Sequence, residues 1–424
     1  MSGWLKITYL LFWYLCMAVA VAQPAPDARA LFTRHNSSIY QIQVIDLAAN
    51  NKSSTGSGFL VDQSGLVATN FHVIASLVDK PDDFKIEVID SVDRIIHADL
   101  VVIDMVNDLA ILKIDSPDFP VLELSEAVIQ KGDTAYSMGY PYDLGITVVP
   151  GTYNGFASHS AKKIVHFTGS LNPGMSGGPA FNAQGEVIGV NVSTAGNQLS
   201  FLVPVEYLSA LLLEAKKQAQ ENFLVSAAKQ LKENSDRLIA ELMEGNWETV
   251  PLGGAFALDE VTRFLRCWGS SKKIEREDDE TPFWAERSCQ TDHNIFVNNQ
   301  LTTGKIELQF YWIETQHLSS LQFYNYYEKI FRNYRAGNYG SKDDLGPWVC
   351  AEEFVTAAEA ENMITKAVFC TRAYKKLEGI FDILFLQGSV TDLDQAHMIH
   401  FTIAGATMES ALRFTEKFTG SSVW

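Results

Sequence analysis

Leu171-Asn-Pro-Gly-Met-Ser-Gly-Gly-Pro179 decides the reading of this chain. Asn172-Pro173 forms a turn, and Gly174 lets the backbone bend so that its own N–H and that of Ser176 point at one spot, an oxyanion hole. Gly177 and Gly178 leave room for a substrate and for neighbouring backbone. Ser176 is thus framed as a presented nucleophile. Its partners stand upstream in a consistent order: His72 in Leu66-Val-Ala-Thr-Asn-Phe-His-Val-Ile74, and Asp108 in Val106-Asn-Asp-Leu-Ala-Ile-Leu112.

Gly174-Met-Ser-Gly-Gly178 also fits the G-x-S-x-G elbow of α/β-hydrolases, in which serine precedes the acid and the histidine. Two features oppose that fit. An elbow serine opens a helix, whereas Pro179 to Ser193 reads as strand, Asn/Gln/Gly turn, strand. The best-framed histidine also comes before the serine.

A serine hydroxyl is inert at neutral pH unless a base takes its proton as it attacks. Imidazole titrates in the right range to act as that base, and then as the acid that protonates the leaving amine. A buried carboxylate fixes the imidazole tautomer and stabilises its cation. His72 follows a strand end (Ala68 to Phe71) and precedes Val73-Ile-Ala75, which could start a helical turn; that junction puts a side chain on a cleft wall. His97 and His166, the other candidate bases, lack such a junction. Asp108 competes with Asp104 and Asp115, and is favoured because the buried-strand pattern Leu109 to Leu112 follows it directly.

Around this trio, residues 30–210 are β-rich. Short runs such as Ser38–Ile45, Phe84–Ile89, Ala110–Ile114, Thr134–Met138 and Gly145–Val149 are separated by Gly, Asn, Asp and Pro, and the length suits two six-stranded barrels. From 205 to 245 the period changes: Leu224, Ala228, Leu231, Leu238 and Leu242 keep a helical spacing up to Gly245. This reads as an amphipathic helix or helical hairpin, a spacer that could also pair two copies of the chain as a coiled coil. Residues 246–424 read as a separate α+β domain, with strands over Ile306–Ile313, Asp382–Leu386 and Met398–Ile403 and helices over Leu321–Tyr334 and Ser410–Phe418. Its many aromatics read as core.

The chain has 424 residues, enough for two or three domains, and a net charge of −18, which argues against nucleic acid and anionic membrane surfaces as partners. Residues 1–22 read as a secretory signal peptide: Lys6, an apolar run from Ile7, and small residues at Ala20-Val-Ala22. The run is shorter than a membrane-spanning helix requires, so an uncleaved anchor is the lesser alternative. Beyond Cys16, Cys267, Cys289, Cys350 and Cys370 remain, an even number that in an exported chain suggests two disulfides. Three connectivities exist, and the local pairs 267–289 and 350–370 are favoured. With neither CxxC nor HExxH, no metal and no other cofactor is expected. His397 and His400 read as core or surface histidines.

Thr55–Ile74, Asn107–Lys113, Met138–Tyr142, Leu171–Pro179 and Gly185–Asn191 together closely resemble the trypsin-clan (chymotrypsin-like) serine proteases of the HtrA, or DegP-like, type, over about residues 35–210. The resemblance implies a double β-barrel endopeptidase acting on polypeptides, with His72, Asp108 and Ser176 as triad and the Gly174 and Ser176 N–H groups as oxyanion hole. It implies that Val192, Ser193 and Thr194 pair with the substrate backbone, and that Thr168, Gly169 and Ser170 wall the specificity pocket. Three departures stand out. Met175 replaces the usual Asn or Asp, the loop Ala195–Gln198 is short, and no PDZ-like segment is legible after the barrel.

The expectation is an all-β double-barrel protease domain, a helical segment and an α+β accessory domain. The function expected is a periplasmic or secreted serine endopeptidase for unfolded or damaged protein. A catalytically silent protease-fold scaffold and a narrow-specificity processing protease are the rivals.

Overall fold

The structure is a computed structural model describing residues 27–115, 119–194, 196, 198–217, 219–272, 281–292, 294–356 and 363–421. The expected signal peptide, residues 1–22, lies outside them. After a short helix α1 (Ala28–His35), capped by Asp27, the chain closes a first barrel from β1 (Ile39–Asp46), β2 (Asn51–Asp62), β3 (Leu66–Thr69), β4 (Phe84–Ile89), β5 (Ile95–Asp104) and β6 (Leu109–Ile114), in the order β1-β2-β3-β6-β5-β4. Helix α2 (Phe71–Asp79) sits between β3 and β4. Alternation in β1 explains its inward face, because Tyr40, Ile42 and Val44 are fully buried while Gln41 and Gln43 are not.

A second barrel uses β7 (Thr134–Gly139), β8 (Thr147–Phe156), β9 (Val165–Phe167), β10 (Pro179–Phe181), β11 (Val187–Thr194) and β12 (Ser200–Pro204), in the order β10-β11-β12-β9-β8-β7. Phe59, Leu109, Met138, Phe181, Val190 and Leu208 belong to one cluster that glues the barrels together. The two closed six-stranded barrels are the architecture expected from the sequence.

The helical segment is a pair, α3 (Val205–Lys217) and α4 (Phe223–Glu244), the latter started by the Asn222 side chain and ended at Gly245. It is more than a spacer. Ala227, Ala228 and Leu231 of α4 pack into the first barrel's core, whereas Leu238, Ile239 and Leu242 pack into the core of the C-terminal region. The apolar stripe that could have paired two copies is therefore covered by the chain itself.

Beyond it, β13 (Thr249–Leu252) and β14 (Ala255–Leu258) form a hairpin. Strands β15 (Leu265–Lys272) and β16 (Phe283–Thr291) begin a large sheet, β17 (Ile295–Asn298) and β18 (Leu301–Thr303) make a second hairpin, and β19 (Ile306–Glu314) returns to the sheet. Helix α5 (Ser320–Asn333), opened by a Ser319/Gln322 capping box, precedes β20 (Val349–Thr356), β21 (Ile364–Ala373), β22 (Phe381–Ser389) and β23 (Gln395–Ala406). Helix α6 (Met408–Thr419) ends the fold, capped by Thr407.

The sheet is antiparallel and seven-stranded, in the order β15-β16-β19-β23-β22-β21-β20. One face carries Phe310, Phe385 and Phe401 against Phe414 and Phe418 of α6, with α4 beside them; the other packs under α5. Most of the aromatics on these faces are core, as read, whereas Phe256, Trp268, Tyr339 and Phe354 are exposed. Disulfides join Cys267 to Cys289 and Cys350 to Cys370, directly opposite each other across β15/β16 and β20/β21. Each therefore staples an edge strand to its neighbour. His397 and His400 are buried on β23, and burial pushes both imidazoles down to about 3.

Candidate active site

Strand β3 ends at Thr69, Asn70 adopts extended backbone, and α2 begins at once, so His72 occupies the first turn of a helix at the barrel rim. The turn before β6 brings Asp108 to it. Asp108 Oδ2 lies 2.7 Å from His72 Nδ1, and Oδ1 accepts the His72 backbone N–H at 2.8 Å. One carboxylate therefore fixes both the ring and the chain that carries it. Asp108 has φ of +59°, a left-handed turn that Asp and Asn tolerate better than most residues. Asn70 Nδ2 donates to the Asp108 carbonyl at 2.7 Å and pins the turn. Burial pushes the His72 pKa down, the Asp108 charge and hydrogen bond push it up, and the net result lies above the ordinary histidine value.

The other acids and bases fall elsewhere. Asp104 accepts from the Asn107 backbone and side chain, so it shapes the turn that delivers Asp108. His97 pairs with Asp99 on the exposed face of β5, and His166 lies on β9 beside Phe201.

Ser176 is held through its own carbonyl and those of its neighbours. Ser57 N–H donates to the Ser176 carbonyl at 2.7 Å. The Pro173 carbonyl accepts from Tyr142 N–H at 3.1 Å; in a trans peptide the partner N–H, that of Gly174, points the opposite way. The Met175 carbonyl accepts from Gly178 N–H at 3.1 Å and Asn191 Nδ2 at 3.2 Å, which turns the Ser176 N–H away in the same manner. Among the described residues neither the Gly174 nor the Ser176 N–H has a hydrogen-bond partner.

Gly174 has φ of +96°, and a Cβ there would lie 2.3 Å from the Tyr140 carbonyl oxygen. Gly177 has φ of +85°, and its Cβ would meet the Ser57 carbonyl at 2.2 Å. Neither position can hold a side chain without backbone movement. Met175 turns its side chain fully into the second barrel's core with Leu171 and Phe167, so the departure from Asn or Asp alters packing.

The Ser176 hydroxyl donates to the Val192 carbonyl at 3.2 Å, and no hydrogen bond joins it to His72 among the described residues. His72 and Asp108 are joined; Ser176 is turned to β11. Val192 thus touches the serine directly. Ser193 and Thr194 continue β11, paired with Phe201 and Ser200, and their side chains lie outside the described residues. Thr168 exchanges hydrogen bonds with Thr152 through its backbone N–H and Oγ1, Gly169 is buried against the Phe167 ring, and Ser170 is exposed.

Three residues near the site had no signal in the sequence. Lys162, in the loop between β8 and β9, crosses from the second barrel to donate to the Val106 carbonyl at 3.0 Å, close behind Asp108. Burial pushes its ammonium down, and the charges of Asp108 and Asp104 draw it back up. It lines a cleft of about 920 Å³ together with Asp104, Val106 and Asn107, and neither His72 nor Ser176 lines it. Gln230 of α4 accepts from Met105 N–H at 2.7 Å and donates to the Ile103 carbonyl at 2.8 Å, bracing the same turn. Phe296 of β17 stands beside the His72 ring, with centroids 5.9 Å apart.

Part of the chain is similar to known proteins. Residues 56–190 match the family described as "Trypsin-like peptidase domain". The chain is 29% identical over 221 residues to a probable periplasmic serine endoprotease, DegP-like, of Hahella chejuensis, an alignment covering 46% of this chain and 45% of that protein. It is 32% identical over 168 residues to the putative serine protease HhoB of Synechocystis sp., covering 37% and 38%. A solved serine endoprotease from Yersinia pestis superposes with a TM-score of 0.41 at 27% identity, covering 46% of this chain and 68% of that one. The chain spans less than half the length of these two curated relatives, and over residues 56–190 it is similar to the trypsin-like peptidase domain.

Proposed function

We propose that this chain is an HtrA-type serine endopeptidase in which His72, Asp108 and Ser176 act as the triad. The observation that carries the reading is the double grip of Asp108 on His72, 2.7 Å to Nδ1 and 2.8 Å to the backbone N–H, together with a serine whose flanking peptides are turned to free two N–H groups. With the proton fixed on Nδ1, Nε2 is left as the acceptor. A rotation about the Ser176 Cα–Cβ bond takes Oγ from Val192 towards that nitrogen. Oγ attacks the scissile carbonyl carbon as its proton passes to Nε2. The carbonyl oxygen becomes an oxyanion held by the Gly174 and Ser176 N–H groups. The imidazolium then protonates the leaving amine, the C–N bond breaks, and an acyl-serine remains. Water, deprotonated by the same imidazole, releases the acid and restores the hydroxyl.

The Val192 carbonyl that holds the resting hydroxyl belongs to the stretch Val192 to Thr194, to which substrate pairing is assigned. A substrate N–H arriving there competes for the carbonyl and releases the serine. Thr168 to Ser170 are assigned to the specificity pocket. The substrates proposed are unfolded or damaged polypeptides, met in a periplasmic or secreted setting to which residues 1–22 would direct the chain.

The hydrogen bond from Ser176 to Val192 is also the one observation that favours a catalytically silent scaffold. Purified protein lacking residues 1–22 is expected to cleave denatured casein, and Ser176→Ala is expected not to. Equal turnover by both would remove Ser176 from the mechanism, and no turnover by either would favour the scaffold.

A further inference from the structure

The C-terminal region docks on the element that carries the base. Hairpin β17–β18 packs against α2, with Ile295 and Leu301 buried in the same core as Phe71, Val73 and Ile74. The seam is tight: a void of only about 20 Å³ remains where Val297, Asn298 and Leu301 face Phe71, Val78 and Asp79. Lys376 Nζ reaches Asp79, the last residue of α2, at 2.5 Å. Asn298 is tied back to Asp344 at 2.9 Å, so the hairpin is held from its own side as well.

Within this rigid seam Phe296 is only half-buried. Its neighbours supply the anchoring, and its ring stands edge-on to the imidazole, the planes at 68°. His72 keeps 27% of its side-chain surface exposed. Because Nδ1 is taken by Asp108, the rest of that ring is what a substrate passes. An aromatic ring 5.9 Å from the imidazole resists its rotation out of line with Asp108, and on the substrate's side it would narrow the passage.

The geometry points to Phe296 as a positioning residue for His72 and as a wall of the substrate cleft, so that the C-terminal region sets which side chains can lie beside the catalytic base. This rests on the protease reading above. Removing an edge-on aromatic pair corresponds to a loss of about twofold to tenfold in the reaction of the serine, and opening a subsite by a ring's volume shifts selectivity between small and bulky side chains by about tenfold.

The test uses the full chain after residue 22 in four forms: wild type, Phe296→Ala, Phe296→Trp, and Phe354→Ala as an exposed aromatic control on the far sheet edge. Each is measured for the rate of fluorophosphonate labelling and for kcat and KM on peptides varied at the four positions around the cleaved bond. Phe296→Ala is expected to label more slowly and to gain bulky side chains at one of those positions by about tenfold relative to small ones. Phe296→Trp, which keeps an aromatic in the seam, is expected to lose them, and Phe354→Ala to match wild type. A structural role alone would lower folded protein in both Phe296 variants without moving the profile in opposite directions. If Phe296→Ala fails to fold, the narrowing by Phe296→Trp decides. A wild type that labels and cleaves while the Phe296 variants share its profile overturns this inference alone. A wild type that does neither overturns the protease reading and this inference with it.

Discussion

Replacing Asp108 by Asn isolates the electrostatic part of the site. Asn is isosteric and tolerates the φ of +59° at this position, and the Asn70 hydrogen bond goes to the Asp108 backbone carbonyl, which the substitution keeps. The Asn Oδ1 can still accept the His72 backbone N–H, now at 2.8 Å. What changes is the contact at Nδ1, now 2.7 Å from a carboxylate oxygen. The amide would donate there, moving the imidazole proton to Nε2, the nitrogen that must accept from serine. Unit charges about 4 Å apart at an effective dielectric of about 20 interact by about 4 kcal/mol, which the transition-state imidazolium would lose. Restoring the useful tautomer against an amide donor adds about 1 kcal/mol. The sum is about 5 kcal/mol, roughly four orders of magnitude in kcat, the size of loss typical of a triad held in the wrong tautomer. Initial rates on a quenched fluorescent casein, with a thermal melt to establish folding, measure it. A folded Asp108→Asn protein within tenfold of wild type would refute the reasoning.

The pH dependence follows from the same pair. The His72 pKa lies above its ordinary value, so kcat/KM should rise with pH through a pKa above 6.5, and in Asp108→Asn, where burial is left unopposed, NMR should find the imidazole below 6.5. Because the folded pKa is the higher one, the stability this pair contributes is full below the unfolded pKa and is lost as pH rises through the folded pKa. Gly174→Ala should lower kcat by at least about a hundredfold with little change in KM, because its Cβ would lie 2.3 Å from the Tyr140 carbonyl and displace the peptide that aims the Gly174 N–H; unchanged kinetics would exclude that N–H from the site. Arg372→Met should destabilise the C-terminal region by about 3–5 kcal/mol in a urea titration, because Asp382, fully buried, loses its cation at 2.8 Å. Cys350→Ser with Cys370→Ser should cost about 3 kcal/mol and expose the β20 amides to hydrogen exchange while casein cleavage persists; loss of cleavage would mean the sheet edge is coupled to the site.

The parts of the site that were legible in the sequence each owe their position to local chain chemistry. A strand end followed by a turn sets His72, a left-handed turn ahead of a buried strand sets Asp108, and glycines that cannot carry a side chain set Ser176. The disulfides were legible only as the favoured local pairs among three connectivities; that Cys267 and Cys289, like Cys350 and Cys370, face each other on adjacent strands is what the structure adds. Lys162, Gln230 and Phe296 were not legible, because each reaches the site from an element that folds for other reasons. An aromatic in Ile295–Asn298 reads as core wherever it points. The packing of α4 was not legible for a similar reason: it gives one end of its apolar stripe to each half, and periodicity does not reveal which core a leucine joins. Helix α1 was missed as well, its eight residues giving too short a period to read, although His35 stacks on Phe181 and is pushed down to about 4 by burial.

The most direct measurement is the site of covalent modification. Intact protein lacking residues 1–22 is treated with a fluorophosphonate, digested, and read by mass spectrometry. One adduct per chain on Ser176, lost in His72→Ala, is the predicted result. A folded protein left unmodified, or modified equally with and without the His72 imidazole, would contradict the account.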